Sequence, residues 1–187
     1  INPDYVINVA VPMMQVSFLA KCLGMKGKIM TWDHFTLFAG SHWGTLFRIF
    51  SAIVSNQTVV LTEQDRNSYP RGIKRKVTVI GNFVMDAEVK SNLQNKKVLS
   101  VGRLVRTKGF DILLDIWADI SQKHNDWILQ IVGSGEEKEN LWNKVKDLHL
   151  EEKVQMIPAV SNIEDYYRTA SIYVSASQFE SWGLVLA

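Results

Sequence analysis

The sequence predicts an α/β protein built on parallel sheets of the doubly wound kind. Three observations carry that expectation. Short apolar runs rich in β-branched residues alternate along the chain with stretches whose apolar residues recur every three or four positions. The short runs are nearly uniformly apolar, as strands covered on both faces are. Several of them end in glycine-bearing loops where the pattern passes from strand to helix.

In order, strands are expected at Tyr5–Val9, Lys28–Trp32, Thr58–Thr62, Val77–Ile80, Lys97–Val101, Ile128–Val132, Val154–Ile157 and Ser171–Ser175. Between them a helix is expected over Trp43–Ile53. Ile112, Leu113, Ile116, Trp117 and Ile120 then form one helical stripe. Leu141, Trp142, Val145 and Leu148 form a second, and Ile163, Tyr166, Tyr167 and Ala170 a third. Ser161 or Asn162 is the expected cap of that last helix. After Ile80 the periodicity stops, and a polar run from Glu88 to Lys97 precedes the next strand. A boundary is therefore expected there, giving domains 1–84 and 85–187.

Charge changes sign at the same place. Residues 1–84 carry nine Lys/Arg against four Asp/Glu, and residues 85–187 carry twelve against fifteen. The basic half is a candidate for contact with anionic lipid or an anionic substrate. The overall charge of +2 gives no support for a nucleic-acid partner. With 47% hydrophobic residues the chain has the apolar surface that a disordered protein lacks. A lone cysteine, Cys22, excludes a disulfide framework, and four scattered histidines show no metal-ligand spacing. The greasy region Tyr5–Met25 is interrupted by Asn8, Pro12, Gln15 and Lys21, so it does not read as a membrane span. No leader pattern opens the chain. The expectation is a cytoplasmic protein, at the inner face of the membrane if the basic half docks there, and a piece of a longer chain, since it opens without Met.

Three loops hold the residues suited to chemistry. The Lys97–Val101 strand runs into Gly102-Arg103-Leu104, followed by Lys108-Gly109-Phe110-Asp111. Gly lets backbone approach a ligand, Arg offers a fork and Lys a point charge for phosphate oxygens. Spacing alone equally fits a solvated basic loop. The next strand ends in Gly133-Ser134-Gly135, which lacks the third glycine of a dinucleotide fingerprint because Lys138 stands there. Its amides suit phosphate or ribose, or simply a strand-to-helix turn. The final loop carries Glu180, Ser181, Trp182, Gly183 and Leu184. The acid suits sugar hydroxyls, or is simply a surface acid, and the following amides suit a phosphate.

Taken together, these segments resemble the retaining GT-B glycosyltransferases of family 4. The matching motifs are Gly102–Leu104 with Lys108–Asp111, Ile131–Gly135, Tyr166–Ser171 and Ser177–Leu186. The likeness is strong over 96–187 and looser over 1–84. There Pro3–Ile7, Thr31–His34, Val59–Asp65 and Val79–Asn82 resemble family strands and their ends. The resemblance implies two Rossmann-like domains with parallel sheets, both incomplete here: the end of an acceptor domain, then a truncated nucleotide-sugar donor domain. It implies transfer of a sugar from a nucleotide diphosphate sugar to a glycan or lipid-linked acceptor, in cell-surface polysaccharide or lipopolysaccharide synthesis. His34 would hydrogen-bond the donor sugar, Arg103 and Lys108 would stabilise the leaving diphosphate, and Glu180 would orient the sugar. Gly102, Gly133 and Ser181–Leu184 would complete the donor site.

No Asp-x-Asp motif occurs, so no metal is expected, and no cofactor beyond the donor. Three departures stand against the family pattern. The opening Met-led strand with its Gly-rich loop is missing, Pro158-Ala159 stands where a glycine is common, and the second family glutamate would fall just past Ala187. The other classes to weigh are a nicotinamide-dependent sugar enzyme, disfavoured by the incomplete glycine fingerprint, and a non-catalytic nucleotide-sugar-binding fragment.

Overall fold

The computed structural model describes residues 3–9, 12–38, 41–83, 90–91 and 93–178. They fall into two units, one within residues 1–84 and one within 85–180, each organised on its own four-stranded parallel sheet.

The first unit runs β1 (Tyr5–Val9), α1 (Met13–Cys22), β2 (Lys28–Trp32), α2 (His42–Val54), β3 (Gln57–Val60), α3 (Glu63–Ser68), α4 (Arg71–Lys74) and β4 (Val77–Val79). Its strands lie side by side in chain order, with Asn8 opposite Thr31 and Thr31 opposite Thr58. Leu37, Ala52, Val60, Tyr69 and Val77 form an apolar core under α2 and α3. Beneath α1 the filling is polar. Ser17 donates to Asn8 Oδ1 (2.7 Å), Thr31 and Ser55 share a hydrogen bond (2.7 Å), and Ser51 donates to Thr31 (3.3 Å). These buried hydroxyls are paired with one another, which removes most of the cost of taking them out of water.

The second unit runs β5 (Lys97–Val101), a 3-10 turn (Arg106–Lys108), α5 (Phe110–Lys123), β6 (Ile128–Val132), α6 (Lys138–Asp147), β7 (Val154–Ile157), α7 (Ile163–Thr169) and β8 (Ile172–Tyr173). The strand order is β7-β6-β5-β8. One face of the sheet, through Val98, Leu129, Ile131 and Val154, packs on Leu113, Leu114, Trp117, Leu141 and Val145 of α5 and α6. The other, through Leu99 and Val132, packs on Ile163, Tyr166, Tyr167 and Ala170 around α7. Both faces are covered, as the uniform apolar runs predict.

Four expectations change. The apolar run at β1 is not covered on both faces: Tyr5, Ile7 and Val9 are 56–61% exposed. The third strand stops at Val60, because Thr62 turns to cap α3, accepting from the Asp65 amide (3.0 Å) and donating to its carboxylate (2.6 Å). The last strand shrinks to Ile172–Tyr173, although the Val174 amide still bonds the Leu99 carbonyl. Asn162 occupies the cap position of α7, but its amide group donates to the Asp165 carboxylate (3.1 Å), leaving the first-turn amides without a side-chain acceptor.

Candidate functional site

In the second unit the chain steps from β5 to β6 to β7 and then returns to the far side of β5. β5 and β8 are thus neighbours in the sheet but not in the chain, and the region beyond the carboxyl ends of strands at such a switch is where open α/β sheets bind ligands. The loops at that edge are fastened by main chain. The Gly102 amide donates to the Val132 carbonyl (3.1 Å), Leu104 to Ser134 (3.0 Å), Glu137 back to Leu104 (3.0 Å), and Gln178 to Thr107 (3.0 Å).

Glycines make these crossings possible. A Cβ on Gly133 would lie 1.9 Å from the Gly102 carbonyl oxygen. One on Gly135 would lie 2.3 Å from that of Leu104. Gly109 adopts a left-handed φ of +65°, and a Cβ there would meet the Ala176 oxygen at 2.2 Å. The loop after β8 thus passes directly over the turn that carries Lys108.

The sequence-derived residues sort themselves on this frame. Arg103 stands exposed at the edge and forms no ion pair among the described residues. Lys108 is half-buried and already engaged within the molecule. Phe110, 3% exposed, fills the space beside Gly102, whose absent Cβ would sit 3.4 Å from the ring. Gly133 plays a different part from the expected one. Its amide donates to the Ile157 carbonyl (2.9 Å), so it supplies closeness of two loops rather than a donor to a phosphate. The Gly102 amide is taken up in the same way. Tyr166, Tyr167 and Ala170 are packing residues on the α7 face. Glu180, Ser181, Trp182, Gly183 and Leu184 lie outside the described residues.

In the first unit the loop after β2 carries His34, half-buried and stacked on Trp32 (centroids 6.0 Å apart, planes at 12°). Beneath it sits a pair that sequence reasoning did not single out. Asp33, 2% exposed, meets Arg48 Nε of α2 at 3.2 Å and accepts the Phe35 amide (3.1 Å). The Asp33 amide itself donates to the Val59 carbonyl (2.9 Å). Burial raises the Asp33 carboxyl above the usual carboxylate range, outweighing the opposing pull of the Phe35 amide and Arg48. Burial likewise pushes the Tyr69 phenol above its ordinary range, with Asp33 and Asp65 adding to it. One signal for the pair was present in the sequence. Arg48 is the sole lysine, arginine or acid in α2, and it falls on the face with Ser51 and Ala52, which are buried.

Known structures share this fold. Staphylococcus aureus TarM, solved with fondaparinux, alpha-GlcNAc-glycerol and UDP, aligns with a TM-score of 0.75 and 22% identity over 95% of this chain and 38% of its own. The lipopolysaccharide outer core galactosyltransferase WaaB, in its apo form, gives 0.72 and 20% over 99% of this chain and 53% of its own. The fold is thus the α/β type of the GT-B glycosyltransferases. Residues 83–187 match the family described as Glycosyl transferases group 1, and the chain belongs to that family. It is 35% identical to an uncharacterized glycosyltransferase of Haemophilus influenzae over 98% of this chain and 53% of that protein. It is 32% identical to the amylovoran biosynthesis glycosyltransferase AmsD of Erwinia amylovora over 99% of this chain and 55% of that protein. The chain spans about half the length of these relatives.

Proposed function

We propose that the chain forms the greater part of the donor site of a retaining glycosyltransferase, which moves a sugar from a nucleotide diphosphate sugar to a glycan or lipid-linked acceptor in cell-surface polysaccharide or lipopolysaccharide assembly. The observation that carries the reading is the convergence, at the switch point of the second sheet, of Arg103, the Lys108 turn and the loop over Gly109. The names of relatives support it: AmsD takes part in amylovoran biosynthesis, and Anabaena HepE was crystallised with UDP and glucose.

In this reading the β5 edge holds the diphosphate. Arg103 and Lys108 offset the charge that grows on it as the glycosidic bond breaks. Fixed cations at that position are worth more in the transition state than in the ground state. Glu180 orients the sugar through its hydroxyls, and the Ser181–Leu184 segment meets the phosphate. His34 of the first unit donates a hydrogen bond to the sugar. The acceptor hydroxyl attacks the face that the leaving group vacates, and the leaving phosphate takes its proton. The reaction proceeds without a metal, in the cytoplasm.

Titration calorimetry of the chain with UDP tests the donor site. Arg103→Ala and Lys108→Ala should each weaken binding about tenfold, since a charge-assisted phosphate contact is worth roughly 1.5 kcal/mol. In the complete enzyme each should cost about 10²-fold in turnover. Unchanged binding and turnover in both variants would refute the phosphate assignment, and product with inverted anomeric configuration would refute retention.

A further inference from the structure

His34 lies on an irregular turn. The main chain is tied to β3 only as far as the Asp33 amide, which donates to the Val59 carbonyl (2.9 Å), and α2 begins at His42. The residues on either side of His34 are held instead by one side chain of α2. Asp33 Oδ1 accepts the Phe35 amide (3.1 Å), and its Oδ2 meets Arg48 Nε (3.2 Å). The same guanidinium lies over the Phe35 ring, 5.7 Å from its centroid. Trp32, at the end of β2, lays its ring almost parallel to the imidazole.

A buried ion pair is weak grounds for stability. Two apolar side chains of similar volume often hold a core as well, because they lose no hydration on burial. What an apolar pair lacks is direction. A carboxylate with one oxygen on a main-chain amide and the other beside a guanidinium permits few arrangements of the turn. A guanidinium that also covers an aromatic face permits fewer.

We infer that Asp33 and Arg48 are positioning residues for His34, an inference resting on the reading of His34 as the group that meets the donor sugar. They fix the turn from both sides so that the imidazole is presented in one orientation, and they act through His34 alone.

Asp33→Asn/Arg48→Met removes both charges and leaves an acceptor for the Phe35 amide. The urea midpoint of the 187-residue chain should stay near that of the wild type, since no charge is left buried alone. In the complete enzyme kcat should fall as in His34→Ala, about tenfold, with KM for the nucleotide sugar little changed. In a His34→Ala background the pair variant should cost nothing further, because both changes act through one group. A purely structural role would lower turnover equally in both backgrounds, and that result overturns the inference.

The ring is read directly by NMR of the 187-residue chain with isotope-labelled histidine, the His34 signal being the one that His34→Ala deletes. Stacking on Trp32 should displace its Cε1 proton upfield through the indole ring current. The pair variant should return it toward the position of a free imidazole, and an unmoved signal overturns the inference. Arg48→Lys keeps a cation beside Asp33 but loses the flat face over Phe35, so it should fold normally and move the signal the same way. This arm needs no sugar. Full turnover in His34→Ala would end the donor reading of His34, while the ring signal still decides whether the pair orients it.

Discussion

The two units share a layout, a parallel sheet with loops at its carboxyl edge, and differ in what braces those loops. In the second unit the edge is fastened by backbone: four main-chain hydrogen bonds link its loops, and Gly133, Gly135 and Gly109 let them cross at contact distance. In the first unit the corresponding edge has main-chain bonds too, from Asp33 to Val59 and from Ile80 to Val60, but charged side chains brace it as well, with Asp33 held by Arg48 and Asp65 held by Thr62. Backbone fastening rests on space and is indifferent to pH. Side-chain fastening rests on charge and protonation and therefore responds to both.

Arg48→Met gives the largest expected effect. It leaves Asp33 buried without its cation, which should cost about 3–5 kcal/mol at neutral pH. Urea unfolding followed by a first-unit probe should show it, and a loss below about 1 kcal/mol would mean that the first unit does not depend on charge. Gly133→Ala probes the other unit. Its new methyl must displace the Gly102 carbonyl, at a cost of about 2 kcal/mol through overpacking. The loss should be the same at pH 5 and pH 8, and a pH-dependent loss would break the contrast.

His34→Ala sharpens the comparison between positioning and stability. It should lower turnover of the complete enzyme by about tenfold or more, in the range of one lost transition-state hydrogen bond. The unfolding midpoint should move little, because His34 is only half-buried. A lower midpoint with full activity would make it a packing residue. The smallest effect is the pH response itself. The folded-state pKa of Asp33 is raised, so its contribution is complete below the unfolded value near 3.9 and is lost as pH rises through the folded value. The first unit should lose stability over that window relative to Asp33→Asn, in which the slope disappears. An identical slope in the variant would remove Asp33 as its source.

Most of the second unit was legible because periodicity and burial agree there. Lys97–Val101, Ile128–Val132 and Val154–Ile157 emerge with the boundaries their apolar runs predict. Of the expected stripes, Leu113 and Trp117 on α5, Leu141 and Val145 on α6 and the α7 residues pack on the sheet, whereas Ile112, Ile116, Ile120 and Trp142 are 37–49% exposed. The first unit was harder to read for two reasons. In α1, apolar residues lie on the outward side as well as the inward one, so no single stripe marked it as a helix. Asn8, which interrupts an apolar run in the sequence, is in the fold part of a hydrogen-bonded polar seam. At the site, the glycines announced a close approach but not its partner. The approach at Gly133 is to another loop, and that follows from strand order, which no local pattern states. The Asp33–Arg48 pair is missed for a related reason: fifteen positions separate its members, and only the adjacency of β2 and α2 brings them together.

The glycine crossings of the second unit have a consequence for how such a protein diversifies. The backbone bonds and the three glycines hold the loops without help from exposed positions such as Arg103. Such positions can be exchanged at little cost to folding, whereas the glycines cannot. Scaffold and specificity are thus written in different residues. Inherited change can retune what the edge recognises while leaving the edge itself in place.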